Sequence, residues 1–216
     1  MLPILAGDDE RGMKRFHHPL ICRCSPLRVR LAHLRGGAEG NERLTAATAV
    51  VLLVLLAVEG VTILFLRPLL SVHVFVGMLL IPPVALKVGS TGYRFVRYYQ
   101  RRRQYVAKGP PNPVMRLLVA PVLVVSTVAI FATGVAMLVT GSRHGIVLGL
   151  HKASFVVWLG AMGIHVLVYA RRLPRLLGSE RTARGALVRA GTVAGALIVG
   201  VALAVATLPL ADPWFH

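Results

Sequence analysis

Five stretches of the chain are apolar at nearly every position, about 44 to 66, 69 to 93, 115 to 140, 146 to 170 and 187 to 209. Each reaches the ~20 residues that a helix needs to cross about 30 Å of hydrocarbon. The pattern predicts an all-α integral membrane helical bundle with five transmembrane helices. Whole-chain composition agrees: 56% of the 216 residues are hydrophobic and the mean hydropathy is +0.69, too apolar for a soluble domain of this length.

The cations sort by connection, which adds an orientation under the positive-inside rule. Eight lie in residues 1–43, and seven lie in the segment YRFVRYYQRRRQYVAKGPPNPVMR between spans two and three. Arg171, Arg172, Arg175, Arg181, Arg184 and Arg189 follow span four. The other two connections hold Arg67 and Arg143, the latter beside His144. The expected location is therefore a bacterial inner membrane, with the N-terminus cytoplasmic and the LADPWFH tail outside. The net charge of +17 borders hydrophobic spans on one side, so membrane lipid, and not nucleic acid, is the expected partner of the charge.

The chain divides into a basic arm (1–43, expected to be poorly ordered), a four-helix core (44–172), and a connection with the fifth span and a short outer tail (173–216). No cleavable signal peptide is evident ahead of the first apolar run. Cys22 and Cys24, near His17 and His18, match no trusted zinc spacing and lie where a disulfide is not expected.

The chemistry concentrates in spans two and four. His151 and His165 are fourteen residues apart. In a helix that spacing turns through about 1400°, returns to within about 40° of its start and rises about 21 Å, so both rings share a face at different depths. Span two repeats the spacing with His73 and Lys87. Both spans run from outside to inside, so His73 is expected level with His151 and Lys87 level with His165. Intramembrane imidazoles are costly and usually functional. Two facing across a bundle satisfy a six-coordinate haem iron, with one nitrogen on each side of the ring. Small residues leave room for a flat macrocycle: Gly77 near His73, Gly149 beside His151, Gly160 and Gly163 near His165, and Gly60 and Gly134 in spans one and three.

On these residues, spans one to four resemble the four-helix di-haem cytochrome b architecture of the membrane subunits of hydrogenases and formate dehydrogenases. In that pattern two parallel helices each carry two histidines about fourteen apart. His73, His151 and His165 match it and Lys87 departs. The wording LLIPPVALKVGSTGYRFVRYY and LHKASFVVW is also similar to actinobacterial membrane proteins described as cytochrome b-like. The resemblance implies two haem b groups, the outer on His73 and His151 and the inner on Lys87 and His165. It also implies a redox partner protein and a quinone as electron donor or acceptor.

Lys87 leaves three readings open: an axial ligand beside His165, an interfacial cation with only the outer haem bound, or a bystander to an inner haem held by His165. Only four of the 25 cationic residues are lysine, and lysine, unlike arginine, can lose its proton and offer a lone pair. Pro82 and Pro83 should kink span two and free backbone carbonyls. Glu59, the only acid within the spans, is open between orienting a ligand imidazole, carrying a proton, and sitting protonated in a helix contact. Candidate contacts to haem propionates are Arg67, Arg143, His144 and Lys152 at the outer end, and Ser90, Thr91, Tyr93, Arg94 and Arg97 at the inner. Phe155 and Trp158 lie between the two levels. Span five carries no candidate ligand and is expected to pack outside the haem core or to form a homodimer contact through its small residues.

The expected function is a transmembrane cytochrome carrying electrons between a quinol or cytosolic donor and an outer acceptor. The competing expectations are a non-redox transporter or assembly factor using the buried His, Lys and Glu, and a single-haem reductase at the outer face. No nucleophilic triad, phosphate loop or zinc motif occurs, so any catalysis belongs to the haem.

Overall fold

The computed structural model describes residues 37–107, 113–170 and 185–214. The cysteine pair, the proline-rich KGPPN segment and the cations from Arg171 to Arg184 lie outside them. Among the described residues there is no strand, and five helices are long and apolar enough to cross a membrane. They are α1 (Gly37–Leu64), α2 (Leu70–Tyr99), α4 (Ala120–Thr140), α5 (Gly145–Tyr169) and α6 (Ala186–Thr207), with α3 (Arg103–Val106) a single turn between α2 and α4. The end of the bundle bearing Arg94 to Arg103 is called the basic end below, and the opposite end the far end.

The first helix begins at Gly37, before its apolar run does. Its polar first turns are held by side-chain bonds, one within the helix and one to α2, that hydropathy does not register. Glu39 pairs with Arg43 one turn on, and Asn41 Nδ2 donates to the Ser90 carbonyl of α2 at 2.9 Å. Five residues join α1 to α2, and they continue in hydrogen-bonded turns, Phe65 N to Val61 O and Leu69 N to Phe65 O, each 3.2 Å. So short a connection makes the two helices antiparallel neighbours.

Helix α2 is unbroken through Pro82 and Pro83. A proline has no N–H, so the carbonyls of Met78 and Leu79, four residues earlier, lose their intrahelical donors. Helix α6 packs along this part of α2. A Cβ added to Gly200 would stand 2.5 Å from the Leu79 oxygen, so only glycine lets the backbones approach this closely. The contact offers the orphaned oxygen a Cα–H donor. Span five is thus packed on the helix that carries His73 and Lys87.

A bend also marks the start of α4, where Met115–Val119 form a π-turn ahead of Pro121, whose missing N–H leaves Leu117 O without its usual donor. The far end of α4 closes on Gly141 in the left-handed region (φ 65°). Trp214 Nε1 donates to the Gly141 carbonyl at 3.0 Å, pinning the tail that follows α6.

Two packed units result. Helices α1, α2 and α6 form one, and α4 and α5 the other. They meet toward the far end, where Leu138 of α4 joins Met78, Leu79, Ala204 and Ala211, and midway, where Phe131 packs against Leu52, Val76 and Leu80. Close packing does not join α2 to α5. Helix α5 is the least covered span, with Ala161 its one buried residue.

Candidate functional site

His73 and His151 are placed on the two sides of this separation, one on each unit. Each imidazole is fixed by a neighbouring helix through Nδ1. His73 Nδ1 lies 2.9 Å from Glu59 Oε1 and 3.1 Å from Thr62 Oγ1, both on α1. The Thr62 hydroxyl donates to the Glu59 backbone carbonyl at 2.6 Å, so its lone pairs face the imidazole N–H. His151 Nδ1 lies 3.0 Å from Thr133 Oγ1 and 3.2 Å from the Ile130 carbonyl, both on α4. The Ile130 carbonyl can only accept, which assigns the proton of His151 to Nδ1; the Glu59 carboxylate favours the same tautomer for His73.

The consequence is chemical. With Nδ1 carrying the proton, Nε2 of each ring keeps its lone pair, and neither Nε2 has a hydrogen-bond partner among the described residues. An imidazole oriented and made more basic through its second nitrogen is the usual state of a metal-ligating histidine. By their positions on spans that run in the same direction, the two rings are expected at one level. Glu59, whose side chain is 14% exposed, is sheltered inside the bundle at the same level.

Glycines give these groups their space. A Cβ at Gly134 would meet His151 Cε1 at 3.4 Å, so this glycine lets the ring lie against α4. Gly77 faces the Glu59 carboxylate, with 3.7 Å from its missing Cβ to Oε1. Gly60, Gly149, Gly160 and Gly163 have nothing within 4 Å of theirs.

The level nearer the basic end is built differently. Lys87 Nζ donates to the Thr45 carbonyl of α1 at 2.7 Å. Around it Thr45 Oγ1 donates to Ser90 Oγ at 2.9 Å, and Ser90 Oγ to the Lys87 carbonyl at 3.0 Å. His165 lies against Tyr169, ring centroids 4.8 Å apart, with no hydrogen bond to its imidazole among the described residues. The far-level pair is oriented by neighbouring helices, whereas here the lysine is oriented toward α1 and the histidine is not anchored. Phe155 and Trp158 stack between the levels, centroids 6.2 Å apart.

At the far end Arg67, Arg143, His144 and Lys152 are exposed. At the basic end the corresponding residues have internal partners. Arg97 lies over the Tyr93 ring at 5.0 Å, and Arg94 is 4.0 Å from Glu42. Ser90 belongs to the lysine cluster and Thr91 is exposed.

Among the described residues no three His, Cys, Asp or Glu side chains converge as a metal site. Haem iron does not require such a cluster, because the porphyrin supplies four nitrogens and the protein two at most. Sequence reasoning singled out both histidines and Glu59 but missed Thr62 and Thr133. Their signal was slight: Thr62 follows the lone acid by three residues, and Thr133 precedes Gly134. No family model, curated protein or solved structure matches the chain.

Proposed function

We propose that the protein is a b-type membrane cytochrome with a haem held between His73 Nε2 and His151 Nε2. The observation that carries this reading is the pair of imidazoles, each fixed through Nδ1 by a different helix, with both Nε2 lone pairs unengaged among the described residues. Bound there, haem supplies one-electron exchange between its ferric and ferrous states. The chain's own residues bind and orient: Glu59 and Thr62 hold His73, Thr133 and the Ile130 carbonyl hold His151, and Gly134 gives that ring its place. Arg67, Arg143 and Lys152 provide cations for propionates at this end.

The cation pattern supports a bacterial inner membrane with the basic end cytoplasmic. The far-level haem then serves an acceptor or donor protein at the outer face, and a quinone in the bilayer is the matching membrane-soluble partner. A second reading, two haems with the inner one on Lys87 and His165, is favoured by the fourteen-residue spacing that Lys87 keeps from His73 and His165 from His151. It requires Lys87 to leave the Thr45 carbonyl and lose its proton, because an ammonium has no lone pair.

A pyridine haemochrome assay on protein from haem-replete cells tests the proposal. One haem per chain is the expected count, two would establish the second reading, and colourless protein would favour a transporter. Lys87→Ala is expected to leave the far-level bis-histidine spectrum unchanged, and a spectrum that collapses would place the lysine at the iron. Glu59→Ala removes an orienting partner of His73 and should weaken haem retention by about 10- to 100-fold, the usual cost of losing such a group. Haem content through detergent washing measures it, and undiminished retention would remove Glu59 from the site.

A further inference from the structure

A second candidate site lies at the basic end, away from the histidines. Helix α2 ends at Tyr99, and the chain turns on Arg101, whose φ of 53° is the one left-handed value at a non-glycine among the described residues. The turn folds α3 back so that Tyr105 is buried against Tyr93, ring centroids 6.3 Å apart. Between the end of α2 and α3 it leaves an open groove of ≈ 660 Å³, lined by Tyr98, Tyr99, Arg101, Arg103, Val106 and Ala107.

Among the described residues no carboxylate pairs with the cations in the groove. The described residues include four carboxylates, at Glu39, Glu42, Glu59 and Asp212. Glu39 pairs with Arg43, Glu42 approaches Arg94, and Glu59 contacts His73, while Asp212 lies at the far end. None pairs with Arg101 or Arg103. Arg97 and Arg116 are placed over the rings of Tyr93 and Tyr99, at 5.0 and 5.8 Å, which leaves Arg101 and Arg103 in the groove, with the exposed Arg102 between them, to face a ligand. Beside them the surface is apolar: Phe95 is 48%, Val96 51% and Tyr99 53% exposed.

We propose that this groove binds the phosphate headgroup of an anionic phospholipid, with Arg101 and Arg103 on the phosphate oxygens and the acyl chains along Phe95, Val96 and Tyr99. Two arginines suit a phosphate because their planar forks donate in pairs. The aromatic surface continuing into a membrane-spanning helix favours a lipid over an acidic protein, which would bury those rings against carboxylates. The site is independent of the haem reading.

Native mass spectrometry of the full chain in detergent tests it, using dioctanoyl phosphatidylglycerol, dioctanoyl phosphatidylcholine, inorganic phosphate and a polyglutamate peptide as probes. The expected result is one tightly retained phosphatidylglycerol, with Arg101→Gln/Arg103→Gln weakening it by about 25-fold, roughly fivefold for each cation near a headgroup. Arg101→Lys/Arg103→Lys keeps the charge and should bind within about fivefold of the parent, which keeps the test readable if the glutamine pair does not fold. Unchanged binding in the glutamine pair, or equal retention of phosphatidylcholine, would overturn the proposal. Competition by equimolar inorganic phosphate would make it a free-phosphate site, and binding of polyglutamate without the lipid would make it a docking site for an acidic protein; either result also overturns it.

Discussion

If the protein holds haem as proposed, His73→Ala and His151→Ala are each expected to remove the low-spin b-haem absorption from the purified protein, while His144→Ala, at the exposed start of α5, is expected to leave it intact. The two losses are expected to be equally severe although the residues sit on different helices in different packed units. Removing either nitrogen leaves a five-coordinate iron at best, and the ring is then held only from one side. The effect on haem content should approach completeness, exceeding that of Glu59→Ala, because a ligand is lost and not merely an orienting group. Reduced-minus-oxidised spectra on detergent-purified protein check it. A variant that stays folded and keeps an unaltered six-coordinate spectrum would show that its histidine is not a ligand.

Gly200→Ala has the largest expected effect on the fold. A methyl group placed 2.5 Å from the Leu79 oxygen cannot be accommodated by rotating a side chain, because the obstacle is backbone. Either α6 withdraws from α2 or α2 shifts, at a cost of about 1–3 kcal/mol for such overpacking. Gly195→Ala is the matched control, since nothing lies within 4 Å of its missing Cβ. That substitution should be neutral or stabilising, because alanine favours a helix over glycine by about 1 kcal/mol. Thermal unfolding in detergent compares the two. Equal melting temperatures would mean that α6 does not clamp α2 at this point. The position matters because the clamp lies between His73 and Lys87, on the carbonyl that Pro83 leaves without a donor.

The helical elements were legible because they follow from hydropathy, and the pairing of His73 with His151 is what helical periodicity leads one to expect. A span announces itself by a run of apolar residues, and a fourteen-residue repeat on two spans of the same direction fixes both face and depth. Glu59 was legible as the one acid in the spans, but its partner was not: the sequence left it open between three uses, and the contact it makes is with His73 Nδ1 at 2.9 Å. Thr62 and Thr133 could not be read in advance. A threonine in a membrane helix ordinarily satisfies its hydroxyl on its own backbone, as Thr133 does by donating to the Ala129 carbonyl at 2.6 Å, so its presence points to no partner. The imidazole it also meets lies on another helix, and that contact is tertiary.

The same limit applies to Lys87. Its depth followed from spacing, yet the donation to the Thr45 carbonyl depends on how α1 and α2 are rotated about their axes. Pro82 and Pro83 announced freed carbonyls in α2, but no pattern in α6 said that Gly200, among its several glycines, would meet one of them. The early start of α1 was hidden because Asn41 is held by Ser90, a contact that a hydropathy profile cannot contain.

The central claim, that His73 and His151 together hold one iron, is tested most directly by near-infrared magnetic circular dichroism of the oxidised wild-type protein, which separates bis-imidazole from imidazole–amine ligation. The account predicts a bis-imidazole signal with an intensity of one centre per chain. Haem-replete protein with only an imidazole–amine signal, or with none, would contradict it.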